Sequence, residues 1–123
     1  MMLVDTSVWI DHLRQGDGGL TDALQAGQVW MHSFVLGELA CGSLRARGEV
    51  LNLLQGLPPM PLSTDKEVLF FIEQHELMGR GIGYVDVHLL ASARLGGARL
   101  WTRDQRLNAV AAELGLAHAE TRH

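Results

Sequence analysis

Four acidic residues lie where the sequence pattern favours a functional site over an ordinary solvated surface. Asp5 directly follows a short apolar run, and Asp104 comes two residues after another. Glu38 lies inside an apolar helical segment, and Asp86 begins a second one. Carboxylates gathered within a few Å repel one another, so a fold tolerates such a group chiefly when divalent cations bind it. Oxygen ligands of this kind favour Mg²⁺ or Mn²⁺.

One or two such ions can activate a water molecule and stabilise the charge that develops when a phosphodiester is cleaved. Each acid also has a structural interpretation. Asp104 could cap the last helix, and Asp86 could be a first-turn acid favoured by the helix dipole. Glu38 could pair with Arg45 or Arg103. The four acids together favour a metal site over four unrelated structural roles.

Short strands that alternate with helices would bring these acids together. Such alternation predicts an α/β fold with a short parallel central sheet, flanked by helices on both faces. Ligands of open α/β sheets bind at the carboxyl ends of the strands, so Asp5 and Asp104 would project there together. Thr6 or Ser7 would cap the first helix. Predicted strands cover residues 3–4, 28–31, 99–102 and, at an edge, 116–119; predicted helices cover 7–14, 20–26, 34–47, 49–55, 65–78, 84–95 and 105–114.

The composition predicts one folded domain over residues 1–123, because 47% of the residues are hydrophobic and no linker or repeat interrupts them. No apolar stretch reaches the roughly 18 residues of a membrane span, and no signal peptide is visible, so we expect a cytoplasmic protein. The single cysteine, Cys41, excludes an internal disulfide, and its apolar neighbours predict a buried core position.

The net charge of −4 does not by itself favour a nucleic-acid partner. Nine of the ten basic residues are nevertheless arginine, the side chain best suited to bidentate phosphate contacts, and only Lys66 is a lysine. Cations bound at the acids would also change the local charge. Charge alone therefore leaves an RNA or DNA substrate open.

Four motifs together resemble a PIN domain, and specifically the small VapC-type toxins of toxin–antitoxin pairs. They are LVDTSV at residues 3–8, GEL at 37–39, YVD through ASA at 84–93, and LWTRD at 100–104. Each motif alone is weak. Their order and spacing over nearly the whole chain make the resemblance specific.

The resemblance implies that Asp5, Glu38, Asp86 and Asp104 form a catalytic acidic cluster that binds Mg²⁺ or Mn²⁺. It implies endonucleolytic hydrolysis of RNA, typically tRNA or ribosomal RNA, by a metal-activated water. The hydroxyl groups of Thr6, Ser7 and Thr102 would orient the ligands. The family also implies a homodimer and a cognate VapB-type antitoxin that inserts into the active-site groove, forming a heterotetramer or hetero-octamer.

Several residues near these motifs have two interpretations. Arg103 could contact RNA phosphate or pair with one of the acids, and His88 is expected more on the helix surface than in the site. Trp9, Trp30 and Phe34 have apolar neighbours and are expected in the core rather than as base-stacking platforms.

Other functions also fit parts of the sequence. A receiver-type signalling module would need paired acids at the first strand and a lysine near the last strand, whereas the only lysine is Lys66. A PIN domain that acts on DNA, or a non-catalytic module that binds RNA or metal, remains an alternative.

Overall fold

The computed structural model describes residues 1–120; residues 121–123 of the predicted domain lie outside the described residues. Three parallel strands form one sheet in the order β2-β1-β3. Within the described residues the strands are β1 (Met2–Val4), β2 (Val29–Trp30) and β3 (Arg99–Trp101). The helices are α1 (Thr6–Gln15), α2 (Gly18–Gln25), α3 (Ser33–Ala40), α4 (Arg47–Gln55), α5 (Asp65–Gln74), α6 (Tyr84–Gly96) and α7 (Gln105–Glu113).

Two further segments extend the sheet by single parallel bridges. Pro59 pairs with Met31 beyond β2, and Ala117 pairs with Leu100 of β3. The second bridge lies within the edge strand predicted at 116–119. The segment that contains Pro58, Pro59 and Pro61 contributes only a bridge, because proline has no N–H group to donate to a ladder.

Both faces of the sheet are covered. Leu3 and Val4 are adjacent in β1 and therefore point to opposite faces, yet each is 0% exposed. Helix α6 is buried at every position from Val87 to Ala93 and packs against β1 and β3. The predicted α/β fold, with a short parallel sheet between helical layers, is therefore confirmed.

The helix predicted over residues 34–47 is wrong in its second half. Helix α3 ends at Ala40, and α4 begins at Arg47 after a turn. The Arg47 guanidinium donates to the carbonyl oxygens of Ala40 and Gly42, which satisfies groups that a continued helix would have bonded. This turn exposes Cys41, so the prediction of a buried cysteine is also wrong.

The helix starts follow local capping rules with two differences. Thr64 and Glu67 match the T-x-x-E pattern of a capping box and form one at the start of α5. Asp5, rather than Thr6 or Ser7, occupies the N-cap position of α1, but its side chain makes no cap bond. The carboxylate of Asp5 is thus left for other partners.

His32 is the second unexpected cap. Its Nδ1 accepts a hydrogen bond from the backbone N–H of Phe34, and its Nε2 lies 3.2 Å from the hydroxyl oxygen of Ser92. The ring is fully buried. Burial, reinforced by the charge of His88, lowers the pKa of His32 from 6.5 to about 4.

This buried histidine predicts acid-dependent destabilisation. Below pH 6.5 the unfolded chain binds a proton at residue 32 that the folded protein resists until about pH 4. The free energy of unfolding should therefore fall by about 2 kcal/mol from this group between pH 7 and pH 5. Urea denaturation at both pH values should show a smaller fall in His32→Asn, because asparagine does not titrate in this range. Asparagine can also keep the cap, so the variant should still fold. The half-buried His75→Asn should retain the wild-type fall; equal pH dependence in all three proteins would contradict this assignment.

Within residues 1–120, no helix is both long and apolar enough to cross a lipid bilayer.

Candidate active site

The acids lie at the carboxyl ends of the strands, next to a point where the order of successive strands changes direction across the sheet. After β1 the chain continues to β2 on one side, and after β3 it continues to the bridge at Ala117 on the other. The carboxyl ends of β1 and β3 therefore border a crevice of the kind in which α/β sheets bind ligands. Asp5 follows β1, and Thr102 and Asp104 follow β3.

Asp5 is held from both strands. It is only 8% exposed, and its Oδ2 accepts hydrogen bonds from Ser7 Oγ at 2.9 Å and Thr102 Oγ1 at 2.7 Å. Thr102 Oγ1 in turn accepts from the backbone N–H of Asp104 at 3.1 Å. One hydroxyl group thus links the acid after β1 to the loop that carries the acid after β3.

Glu38 is connected to α1, the helix that follows Asp5. Its Oε1 accepts a hydrogen bond of 3.0 Å from Thr6 Oγ1, in the first turn of α1. Among the described residues Glu38 forms no ion pair, so the pairing considered with Arg45 or Arg103 is absent there. The contact places α3 beside the strand end that carries Asp5.

Asp86 and Asp104 each occupy the structural role considered for them. Asp86 Oδ2 accepts from the backbone N–H of Gly83 in the first turn of α6, and Asp104 Oδ1 caps α7 by accepting from Leu107 N–H. Burial raises the pKa of Asp86; the hydrogen bond from Gly83 opposes the shift, and the charges of Asp5 and Asp104 add to it. Asp86 is therefore within electrostatic range of both Asp5 and Asp104.

Each of the four acids keeps one carboxylate oxygen outside the hydrogen bonds formed within residues 1–120. The engaged atoms are Asp5 Oδ2, Glu38 Oε1, Asp86 Oδ2 and Asp104 Oδ1. In the same part of the chain, no three His, Cys, Asp or Glu side chains lie in an arrangement that could hold a metal ion as they stand. The donor set is nevertheless that of a hard cation, with oriented carboxylates, mutual repulsion and a free oxygen on each acid. The ligand role of the four acids stays a prediction.

Arg103 is fully occupied by acids outside this group. Its guanidinium bonds Asp11, Asp17 and Glu120, and it lies 5.8 Å from the centre of the Trp101 ring. These contacts hold α1, the start of α2 and the C-terminal segment together. Of the two roles considered for Arg103, the structure therefore places it in ion pairing, although with different acids from those expected.

Sequence reasoning missed the two aspartates that hold this arginine. The sequence could have indicated Asp17 as an N-cap, because it is an aspartate directly before the first turn of α2. In the structure its Oδ1 accepts a hydrogen bond from the Leu20 N–H. The hydrogen bond from Arg103 lowers the pKa of Asp17. No local signal links either Asp11 or Asp17 to an arginine about 90 positions later.

The aromatic predictions are partly wrong. Trp9 is buried as expected and Trp30 is half-buried, but Phe34 is 40% exposed. His88 is buried rather than on the helix surface, with its ring packed against Phe34 and Tyr84. An aromatic cluster therefore lies near the first turns of the two helices that carry Glu38 and Asp86.

Comparison with known protein families and with known sequences points to PIN-domain proteins in both cases. Residues 2–113 match the PIN domain family. The chain is similar to ribonuclease VapC32 of Mycobacterium tuberculosis, with 51% identity over 121 residues and 98% of each chain covered.

Solved structures resemble the whole fold. FitAcB from Neisseria gonorrhoeae aligns with a TM-score of 0.62 at 21% identity, covering 91% of this chain and 94% of that one. FitAB bound to an IR36 DNA fragment gives 0.62 at 21% identity with both chains fully covered. PAE2754 from Pyrobaculum aerophilum gives 0.60 at 17% identity, covering 89% and 78% of the two chains.

Proposed function

Because the chain belongs to the PIN-domain family, as a VapC-type ribonuclease toxin, we propose that it is an Mg²⁺- or Mn²⁺-dependent endoribonuclease that hydrolyses RNA phosphodiester bonds. The observation that carries the metal-dependent step is the acidic edge of the sheet. Thr102 links Asp5 to the Asp104 backbone, Asp86 lies within electrostatic range of both acids, and each of the three has a carboxylate oxygen outside the hydrogen bonds of residues 1–120.

In this proposal Asp5, Glu38, Asp86 and Asp104 hold the metal. A bound divalent cation supplies Lewis-acid stabilisation and a water molecule of lowered pKa. The protein's own contribution is orientation: Ser7 and Thr102 fix Asp5, and Thr6 fixes Glu38. Because the metal-activated water is the nucleophile in this proposal, none of the described side chains at this edge is required to attack the phosphate.

The same family assignment supports a proposal for the substrate and the partners. We infer that the RNA is tRNA or ribosomal RNA, and that cleavage arrests translation. We also infer a homodimer and a cognate antitoxin that blocks the acidic edge, since an active nuclease of this kind must be restrained in the cell that makes it.

The direct test is cleavage of RNA by the purified protein with Mg²⁺, with Mn²⁺ and with a chelator. Cleavage should require either cation and stop in the chelator, and induced expression should arrest growth. Single-stranded DNA of the same sequence serves as the comparison substrate. Absence of RNA cleavage with both cations, together with normal growth, would overturn the proposal, and cleavage of DNA alone would replace RNA with DNA as the substrate.

Thr102 offers a second test of the site. Thr102→Val removes the hydroxyl that donates to Asp5 and accepts from the Asp104 backbone, but it keeps the side-chain shape. Loss of a group that orients a ligand typically costs 10–100-fold, so the Mg²⁺ concentration for half-maximal cleavage should rise by about that factor. Thr102→Ser should stay near wild type. Thr21→Val, on α2, removes a comparable hydroxyl bond to a backbone oxygen and should leave the Mg²⁺ dependence unchanged.

A further inference from the structure

A groove beside the acidic edge carries two arginines without a described partner. It has a volume of about 540 Å³ and lies between α1, α3 and α4. Its walls include Ile10, Leu13 and Arg14 from α1, Glu38 from α3, and Arg45 from the turn before α4. Glu38 therefore belongs both to the predicted metal site and to this groove, so the groove borders that site.

The other arginines show why these two are distinctive. Within residues 1–120, Arg47, Arg80, Arg94, Arg99 and Arg103 all bond carbonyl or carboxylate oxygens, which fixes them in structural roles. In the same part of the chain, Arg14, Arg45 and Arg106 form no hydrogen bond or ion pair. Two of these three line one groove. The net charge of the protein is −4, yet two arginine side chains without a bonded partner among the described residues line the groove beside the acids.

The geometry of α1 supports a linear ligand. Thr6, which bonds Glu38, Ile10 and Arg14 are spaced by four residues and lie along one face of the helix. At 1.5 Å per residue, Arg14 is about 12 Å along the axis from the acidic edge. A strand cleaved at the acids would therefore pass its neighbouring phosphates along this face.

We propose that Arg14 and Arg45 bind the phosphate backbone of single-stranded RNA next to the scissile bond. The proposal rests on the proposed ribonuclease function and adds a substrate track to it. Arginine matches a phosphate by forked, charge-assisted hydrogen bonds. The apolar wall formed by Ile10 and Leu13 gives the sugars and bases a surface beside the charges, which makes the groove tolerant of sequence.

The experiment measures RNA binding without cleavage. Asp5→Asn protein is titrated into a labelled single-stranded RNA oligonucleotide at several salt concentrations, with and without Arg14→Gln and Arg45→Gln. Each arginine substitution should weaken binding about three- to tenfold near 0.1 M salt. It should also reduce the slope of log K against log salt by about 0.7, the value for one phosphate contact on a single strand. Arg→Lys at the same positions should keep the slope.

Lys66→Gln is the matched control, since Lys66 also forms no hydrogen bond or ion pair among the described residues but lies on α5 and lines a different pocket, with Phe70 and Leu95. It should leave both Kd and the salt slope unchanged. Unchanged binding in the double variant Arg14→Gln/Arg45→Gln would overturn the proposal and leave the groove to a protein partner such as an antitoxin. Failure of the wild type to cleave RNA that it binds would instead contradict the proposed function, so the two failures are distinguishable.

Discussion

Asp5→Asn should abolish metal-dependent RNA cleavage, with a loss of at least about 10³-fold, or about 4 kcal/mol in the transition state. The amide oxygen can still accept from Ser7 and Thr102, so the local structure should persist. The negative charge and the second carboxylate oxygen are lost, and these are what a hard cation requires.

Two measurements that do not use RNA accompany this prediction. Addition of Mg²⁺ should raise the melting temperature of the wild type by linkage, and should do so much less in Asp5→Asn. The pKa of Asp86 should fall in the variant, because the charge of Asp5 is one of the causes that raise it. Carboxyl NMR titration measures that pKa directly.

Asp22→Asn is the matched control, because Asp22 is an exposed aspartate on α2 whose carboxylate forms no hydrogen bond or ion pair among the described residues. It should keep full cleavage and the full response to Mg²⁺. Cleavage by Asp5→Asn at the wild-type rate would remove Asp5 from the metal site, and an unfolded variant would show instead that Asp5 is mainly structural.

Arg103→Met should give the largest loss of stability among the arginine substitutions. The change leaves Asp11, Asp17 and Glu120 close together without their shared cation, and it removes the contact with Trp101. Arg103 is 29% exposed, so the cost is less than for a fully buried ion pair. We expect the free energy of unfolding to fall by about 2–3 kcal/mol. For a chain of this length that corresponds to a drop in melting temperature of roughly 8–12 °C.

High salt and low pH should reduce the difference in stability between the wild type and Arg103→Met. Salt screens the repulsion among the three carboxylates. Arg103 holds the pKa of Asp17 low in the folded protein, so its contribution is present above the unfolded pKa and is lost as the pH falls through the lowered value. Thermal melts of Arg103→Met and of the exposed Arg106→Met measure the difference. A change below 2 °C in Arg103→Met would contradict the role assigned to the arginine.

Much of the fold could be predicted because its signals are local. Short apolar runs marked the strands, and Thr64 with Glu67 marked the start of α5. Asp5 and Asp104 could be placed at one edge because parallel strands share the direction of their carboxyl ends. The predicted positions of these elements agree with the structure to within a few residues, apart from the helix break after Ala40.

The remaining features depend on contacts between distant residues. The end of α3 is fixed by Arg47, whose side chain bonds carbonyl groups five and seven residues earlier. Phe34 lies in an apolar run but is exposed, whereas the polar His32 two residues earlier is fully buried and caps the helix. The partners of Arg103 come from both ends of the chain. The apolar pattern of the sequence cannot indicate which of two nearby side chains is buried in the core. It also cannot indicate which acidic residues an arginine will pair with.

The bond between Thr102 and Asp5 joins residues 97 positions apart, and β1 pairs with β3 across the same separation. Contacts of such high sequence separation form late, because the closure entropy of a long loop must be met first. During synthesis, Asp5 leaves the ribosome well before β3 and lacks this neighbouring strand until β3 has emerged. We therefore expect nuclease activity to be absent from nascent chains that have not yet released β3 and Thr102 for folding.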